Sequence, residues 1–401
     1  MSQSVLWDPD RHEPLCDEPW NDQVARDGIR DLASDAERAF DETTLWPAHP
    51  LDGPFPPGVS PTSLYFGATG VAWALDQLHR RHAIAAARDW RAETKRFVDV
   101  HVASPEIGEH VPSLMLGEVG VRAVAGIGLD RLYELVESNV ANASLELLWG
   151  APGTMLAALF QFEQTGEERW RELFVRNAEH VLGTWTFHDD LDAWLWTQDL
   201  HGELVRLVGA GHGFAGNVSS LLRGAALLSA EQRATIVARA THTVRAIALR
   251  SGDLVNWMPH VGPPRKGREK ILVQWCHGAP GMILALSRLP PDDEPDDEID
   301  ALFVAAAELI WRAGPLTKGA GLCHGTAGNG YAFLAMHART GDPRWLDRAR
   351  RFAMHALAQT RSATRAHGFG RYSLWTGDLG VALFLQDCLD GAGELPGLAY
   401  L

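Results

Sequence analysis

Cysteine is scarce in this chain: Cys16, Cys276, Cys323 and Cys388 are the four present among 401 residues. Four cysteines in a chain of this length do not make a disulfide framework, and they turn attention to metal binding or catalysis. Long apolar runs are missing too. No stretch reaches the ~18 uninterrupted apolar residues of a membrane helix, so no membrane is expected as a partner. Positive charge is also short. The formal net charge of −15 disfavours nucleic acid or an anionic membrane surface as the main partner. The acidic, Trp-containing N-terminus lacks the basic start and apolar core of a secretory signal, so cytoplasmic residence is expected. Runs of alternating strand pattern are almost absent, which excludes a β-rich fold.

What the chain has instead is ordered glycine. A Gly-x-x-Gly element recurs seven times, at Gly67–Gly70, Gly117–Gly120, Gly150–Gly153, Gly213–Gly216, Gly278–Gly281, Gly325–Gly328 and Gly377–Gly380. The first glycines are spaced 50, 33, 63, 65, 47 and 52 residues apart. One such element carries little information among 39 glycines, but the residues that follow do. VAWALDQL follows Gly70, TMLAALFQF follows Gly153, MILALSRL follows Gly281 and VALFLQDCL follows Gly380. Each reads as a helix buried on most of its circumference and started by a glycine turn. Thr165-Gly-Glu-Glu-Arg-Trp170 and Thr340-Gly-Asp-Pro-Arg-Trp345 each begin 12 residues after the second glycine of their unit and open an amphipathic helix.

The unit is therefore inner helix, turn, outer helix, and seven copies predict one all-α domain rather than the two or three its length would suggest. Nearly all-apolar inner helices, with chemistry converging at one end of them, favour a closed, seven-fold α/α toroid over an open solenoid. The toroid is expected over residues 61–401. Residues 1–60 form a helical and extended segment packed on it, with Pro47–Pro61 as an extended connector. The basic Gly262–Lys270 and acidic Pro290–Glu298 runs read as solvated turns.

Two consecutive units carry a Cys-His pair against the turn, in Trp275-Cys276-His277-Gly278 and Leu322-Cys323-His324-Gly325. Each cysteine lies two residues before the first glycine of its element. Equivalent positions in a ring face one central cavity, so these groups converge despite 47 residues of separation. Two thiolates and an imidazole suit zinc, with three protein ligands and an open fourth position. The adjoining helix N-termini favour thiolate over thiol. Such a donor set formally cancels the charge of Zn²⁺. The ion is then less suited to ionising water than to holding a thiolate that stays nucleophilic. Cys16 and Cys388 fit no ligand motif and read as packing or surface thiols.

Trp-Cys-His-Gly-Ala-Pro-Gly and Gly-Leu-Cys-His-Gly-Thr-Ala-Gly-Asn, together with the seven turns, resemble the lanthionine synthetase C-like (LanC-like) family over roughly residues 60–390. The resemblance implies a zinc ion on Cys276, Cys323 and His324 that activates a thiol for addition to dehydroalanine or dehydrobutyrine. It also implies that His212, in Gly211-His212-Gly213, is the acid/base. Thiolate attack makes an enolate whose α-carbon must be protonated, and an imidazole titrating near neutrality can do this. Peptide-cyclising members typically carry Tyr where this chain has His277. Members with His resemble glutathione-binding proteins, and Lys318 matches a lysine of that group beside the thiol. Arg371, shortly before the seventh turn, is a candidate for an anionic substrate. The expected partners are a peptide or protein containing dehydroamino acids and a small thiol such as glutathione.

Other readings stay open on the sequence alone. The zinc and glutathione sites could belong to a scaffold or sensor without turnover. A glycoside hydrolase on an α/α barrel would need two poised carboxylates, and Asp378 is the one acid within a late turn. A zinc-using prenyltransferase shares the thiolate chemistry but not the glycine turns.

Overall fold

The computed structural model describes residues 6–200, 202–262, 270–289 and 296–401. Residues 263–269 of the expected basic turn and 290–295 of the acidic one lie outside the described residues.

The chain enters through α1 (Asp22–Ala39) and then alternates inner and outer helices. The pairs are α2 (Ala68–Arg80) with α3 (Trp90–Ala103), α4 (Glu118–Ala125) with α5 (Leu129–Ser138), and α6 (Ala151–Thr165) with α7 (Glu168–Gly183). They continue as α8 (Phe214–Arg223) with α9 (Ala230–Ala246), α10 (Ala279–Leu286) with α11 (Asp297–Ala313), and α12 (Thr326–Thr340) with α13 (Pro343–His367). The last inner helix is α14 (Asp378–Asp390). Each inner helix packs on the next, and α14 packs on α2, which closes the ring. Among the described residues no outer helix follows α14. Its outer partner is α1, so the two ends of the chain complete the seventh pair together. The fold is the mainly helical toroid that the repeats predict.

The glycine spacing has a steric cause. The first glycine of every element is the N-cap of its inner helix. A Cβ on the second glycine would fall 1.8–2.3 Å from the carbonyl oxygen six residues earlier, at all seven turns. The turn is folded so tightly under its own helix that only glycine fits. Inner helices then bury almost every side chain; α6 buries eleven consecutive residues from Ala151 to Gln161. Outer helices bury one stripe, anchored by Trp170 in α7 and Trp345 in α13, both fully buried. Each buried side chain of this size contributes ~2–3 kcal/mol, so the core is spread over many units rather than resting on one site.

Short strands appear where the sequence showed almost none. β1 (Thr186–His188) pairs with β2 (Ala193–Leu195), and β3 (Gln198–Leu200), β4 (Glu203–Leu207) and β7 (His260–Val261) form a second small sheet. β5 (Leu249–Ser251) pairs with β6 (Leu254–Asn256). Runs of two to five residues are too short to show an alternating pattern in the sequence. They lie in the two longest repeats and account for the spacings of 63 and 65 residues. No described helix is long and apolar enough to cross a membrane.

Candidate metal centre and its surroundings

In six of the seven units the turns are tied edge to edge by their backbones at the residue two places before the first glycine. Gly211 N–H donates to the Cys276 carbonyl at 3.3 Å, and Cys276 N–H to the Cys323 carbonyl at 3.2 Å. Cys323 then donates to Trp375 at 2.9 Å, Trp375 to Tyr65 at 3.2 Å, and Tyr65 to Met115 at 3.0 Å. The two cysteines are thus adjacent members of one hydrogen-bonded run of equivalent positions through six of the seven units. Their neighbours one place on, His212, His277 and His324, are three consecutive members of the next run.

This arrangement brings one donor atom each of Cys276, Cys323 and His324 within 4.8 Å of one another. Both cysteines are buried and His324 is half-buried. A hydrogen bond from Cys323 holds the Cys276 thiol well below its ordinary value. Burial opposes this, and His324 and His277 add to it. Burial and the neighbouring Cys276 push Cys323 well above its ordinary value. Two adjacent thiolates repel, so the pair keeps one proton until a cation neutralises it. A divalent ion with bonds of about 2.0–2.3 Å to sulfur and nitrogen fits both the spacing and the charge of this donor set.

Further groups support the thiols. Gln274 Nε2 donates to Cys276 Sγ at 2.9 Å, and Arg11 Nη2 donates to Gln274 Oε1 at 3.2 Å. The Tyr65 hydroxyl, pushed well above its ordinary value first by burial, donates to Cys323. Lys318 is exposed, and its charge acts on Cys323 to favour the thiolate. Thr317 N–H donates to the Arg11 carbonyl at 3.0 Å, so the segments carrying Arg11 and Lys318 run side by side.

His277 stacks on His212, with ring centroids 5.6 Å apart and planes 21° from parallel. His212 Nδ1 lies 2.7 Å from Oε2 of the buried Glu146. The origin of that pairing is legible in the repeat. Ser63 and Ser113, four places before their first glycines, accept the N–H groups of Phe66 and Leu116 at 3.0 and 2.9 Å. Glu146 occupies the same place in the third unit and accepts Trp149 N–H at 2.7 Å with Oε1. Its second oxygen is left to reach His212 of the next unit.

Arg371 is not gathered into this cluster. Its Nε lies 3.1 Å from both oxygens of Asp52 in the proline-rich connector, and Thr376 Oγ1 donates to the same carboxylate at 2.8 Å. An anion arriving at Arg371 has to compete with Asp52.

A sequence model described as lanthionine synthetase C-like protein matches residues 125–396, more than half of the chain. The protein belongs to the LanC-like family. A curated relative, "Glutathione S-transferase LANCL1" of Danio rerio, is 29% identical over 306 residues, spanning 70% of this chain and 72% of that protein. "LanC-like protein GCL1" of Arabidopsis thaliana is 31% identical over 221 residues, spanning 55% of this chain and 48% of that one. Among solved structures, nisin cyclase superposes with a TM-score of 0.63 at 14% identity, covering 92% of this chain and 94% of its own. That likeness carries the LanC-like fold.

Sequence reasoning missed Glu146, Gln274, Tyr65 and Arg11. Three of them were within reach. Glu146 is a lone acid inside Leu145–Leu148, and Gln274 stands at the equivalent place before the fifth turn. Comparing the repeats four places before each first glycine would have marked both. Tyr65 stands at the same place before the first turn as the two cysteines before theirs, so the same comparison would have marked it; Arg11 was out of reach, because its closeness depends on the path of the N-terminal segment.

Proposed function

We propose that this LanC-like protein forms thioethers, adding a thiol to dehydroalanine or dehydrobutyrine in a peptide or protein, with zinc as its cofactor. The observation that carries the reading is the convergence of the Cys276, Cys323 and His324 donor atoms within 4.8 Å, beside a histidine backed by a buried carboxylate. Zinc held by these three residues would keep an incoming thiol deprotonated at neutral pH without quenching its nucleophilicity.

The chain's own groups account for the rest. In the reaction the sulfur forms a bond to the β-carbon, the alkene π bond is lost, and its electrons move to the α-carbon and carbonyl as an enolate. His212 then delivers a proton to the α-carbon. Glu146 holds Nδ1, which leaves Nε2 directed at the substrate and favours the imidazolium that donates. His277 flanks His212 and walls the space between it and the cysteines. Gln274 and Tyr65 hold the two sulfurs in place.

The thiol is a separate small molecule, and glutathione fits best. Arg11 and Lys318 stand beside the cysteines, where a tripeptide with two carboxylates can be oriented. The net charge of −15 repels anions at a distance, but screening within ~10 Å leaves the local cations in control. The name of the Danio rerio relative supports the same donor. The test offers the zinc-loaded protein a dehydroalanine peptide lacking cysteine, with and without glutathione, and reads products by mass. An adduct that weakens in Lys318→Ala is expected. Ring closure of a peptide carrying its own cysteine, without any adduct, would make the protein a cyclase. Glutathione binding without either product would make it a sensor.

A further inference from the structure

The bore of the toroid is not filled by the inner helices. Residues 391–401 turn back into it from the end opposite the glycine turns. Tyr400 lies against Trp73 of α2, with ring centroids 5.4 Å apart. Gly397 comes so close under the turns that an added Cβ would stand 3.5–3.7 Å from Leu64, Trp375 and Leu374. The tail fills the side of the bore formed by the first and last units. Beside it, facing α6, α8, α10 and α12, a cavity of about 540 Å³ remains.

We infer that this cavity is a second binding site, for an uncharged, largely apolar small molecule. Its roof is Leu147, Ala210 and Trp275, the residues three places before the first glycines of the third, fourth and fifth units. The metal turn lies on the far side of that roof, so the cavity is separate from the thiol site. Leu395 and Leu398 of the tail form the opposite wall. The space opens where the fourth repeat carries a small residue. Six places after the first glycine the chain has Trp73, Leu156, Leu284, Tyr331 and Leu383, but Ala123 in the second unit and Ser219 in the fourth, and of these two small residues Ser219 lines the cavity. Ala285 and Ala335 add to the gap. A volume of this size lies within the range of small-molecule sites, roughly 300–1,000 Å³.

Charge decides the class of guest. Arg223, Arg288 and Arg339 line the end of the cavity where the inner helices finish. Each is already paired. Arg223 Nη1 lies 2.7 Å from Glu163, Arg339 Nε lies 2.6 Å from Asp300, and Arg288 meets Glu394 of the tail. Three carboxylates match three guanidiniums, and the helix C-termini add partial negative charge. An anion gains nothing there, whereas an apolar body gains about 25 cal/mol for each Å² removed from water.

The experiment uses two fluorescent probes with the same aromatic body on the full-length protein. N-phenyl-1-naphthylamine is uncharged, and 8-anilino-1-naphthalenesulfonate carries a sulfonate. The uncharged probe is expected to saturate at one site per chain and to be displaced by 1-decanol, with the anionic probe at least tenfold weaker. Ser219→Leu, which restores the size that five of the other units carry, is expected to weaken the uncharged probe at least tenfold while leaving metal content unchanged. Ala335→Leu gives a second filling variant should the first fold poorly. Unaltered binding in a folded filling variant, or equal binding of the two probes, would overturn the inference. So would the absence of xenon density in the bore of pressurised crystals of the unmodified protein.

Discussion

Glu146 and His212 come from consecutive repeats, yet their side chains meet at 2.7 Å because a turn-capping residue has been exchanged for one with a second oxygen. One carboxylate both closes the turn at Trp149 and fixes the ring of His212. Glu146→Gln keeps a group able to accept the Trp149 N–H but loses the charge. It is expected to retain metal, slow thiol addition roughly 10–100-fold and move the alkaline limb of the pH–rate profile to lower pH, since the imidazolium that donates loses its counter-charge. An unchanged pH profile with normal metal content would separate Glu146 from the chemistry.

His212 itself is expected to act on the substrate and not on the metal. In His212→Asn, metal content stays at the wild-type level while addition slows by roughly 10²–10⁴-fold. Metal analysis beside the rate assay checks both halves. Loss of metal with the imidazole would make His212 a ligand.

Gln274 offers Cys276 Sγ an amide donor at 2.9 Å and has no place in the proton transfer. Gln274→Ala is expected to weaken zinc about 10–100-fold, as loss of a group supporting a ligand typically does, with little change in rate once zinc saturates. Competition against a chromogenic chelator measures the affinity. Unchanged affinity would reduce this contact to packing.

Asp378 gives a stability prediction with a definite sign. Burial raises its carboxyl from 3.8 to about 7 in the folded protein. The folded state therefore holds the proton more tightly than the unfolded chain, and this contribution is complete below pH 4. It fades as pH rises through 7. Asp378→Asn removes the titration and is expected to be relatively more stable at pH 8 than at pH 5, by about 1 kcal/mol or more. Urea unfolding at the two pH values tests it, and an equal effect at both would show that Asp378 does not titrate in this range.

The helical ring was legible because its cause is local. A Cβ on any second glycine would fall within 2.3 Å of a carbonyl oxygen, so these glycines cannot be exchanged and the repeat stays visible in the sequence. Cys276, Cys323 and His324 were legible for the same reason, since equivalent positions in a ring converge. What escaped depends on distance along the chain. That α1 serves as the outer partner of α14 follows from closure of the ring. Arg11 comes near Cys276 through Gln274, 263 residues later in the sequence. Arg371 read as a cation for substrate, and nothing in its local sequence pointed to Asp52, 319 residues earlier.

The most direct test of the account is the rate of thioether formation as zinc is removed and returned. Protein stripped with a chelator is expected to lose addition of glutathione to a dehydroalanine peptide and to regain it with one equivalent of zinc per chain. Cys323→Ala, folded to the same helix content, is expected to recover nothing. Full activity in stripped protein, or full zinc and activity in Cys323→Ala, would contradict it.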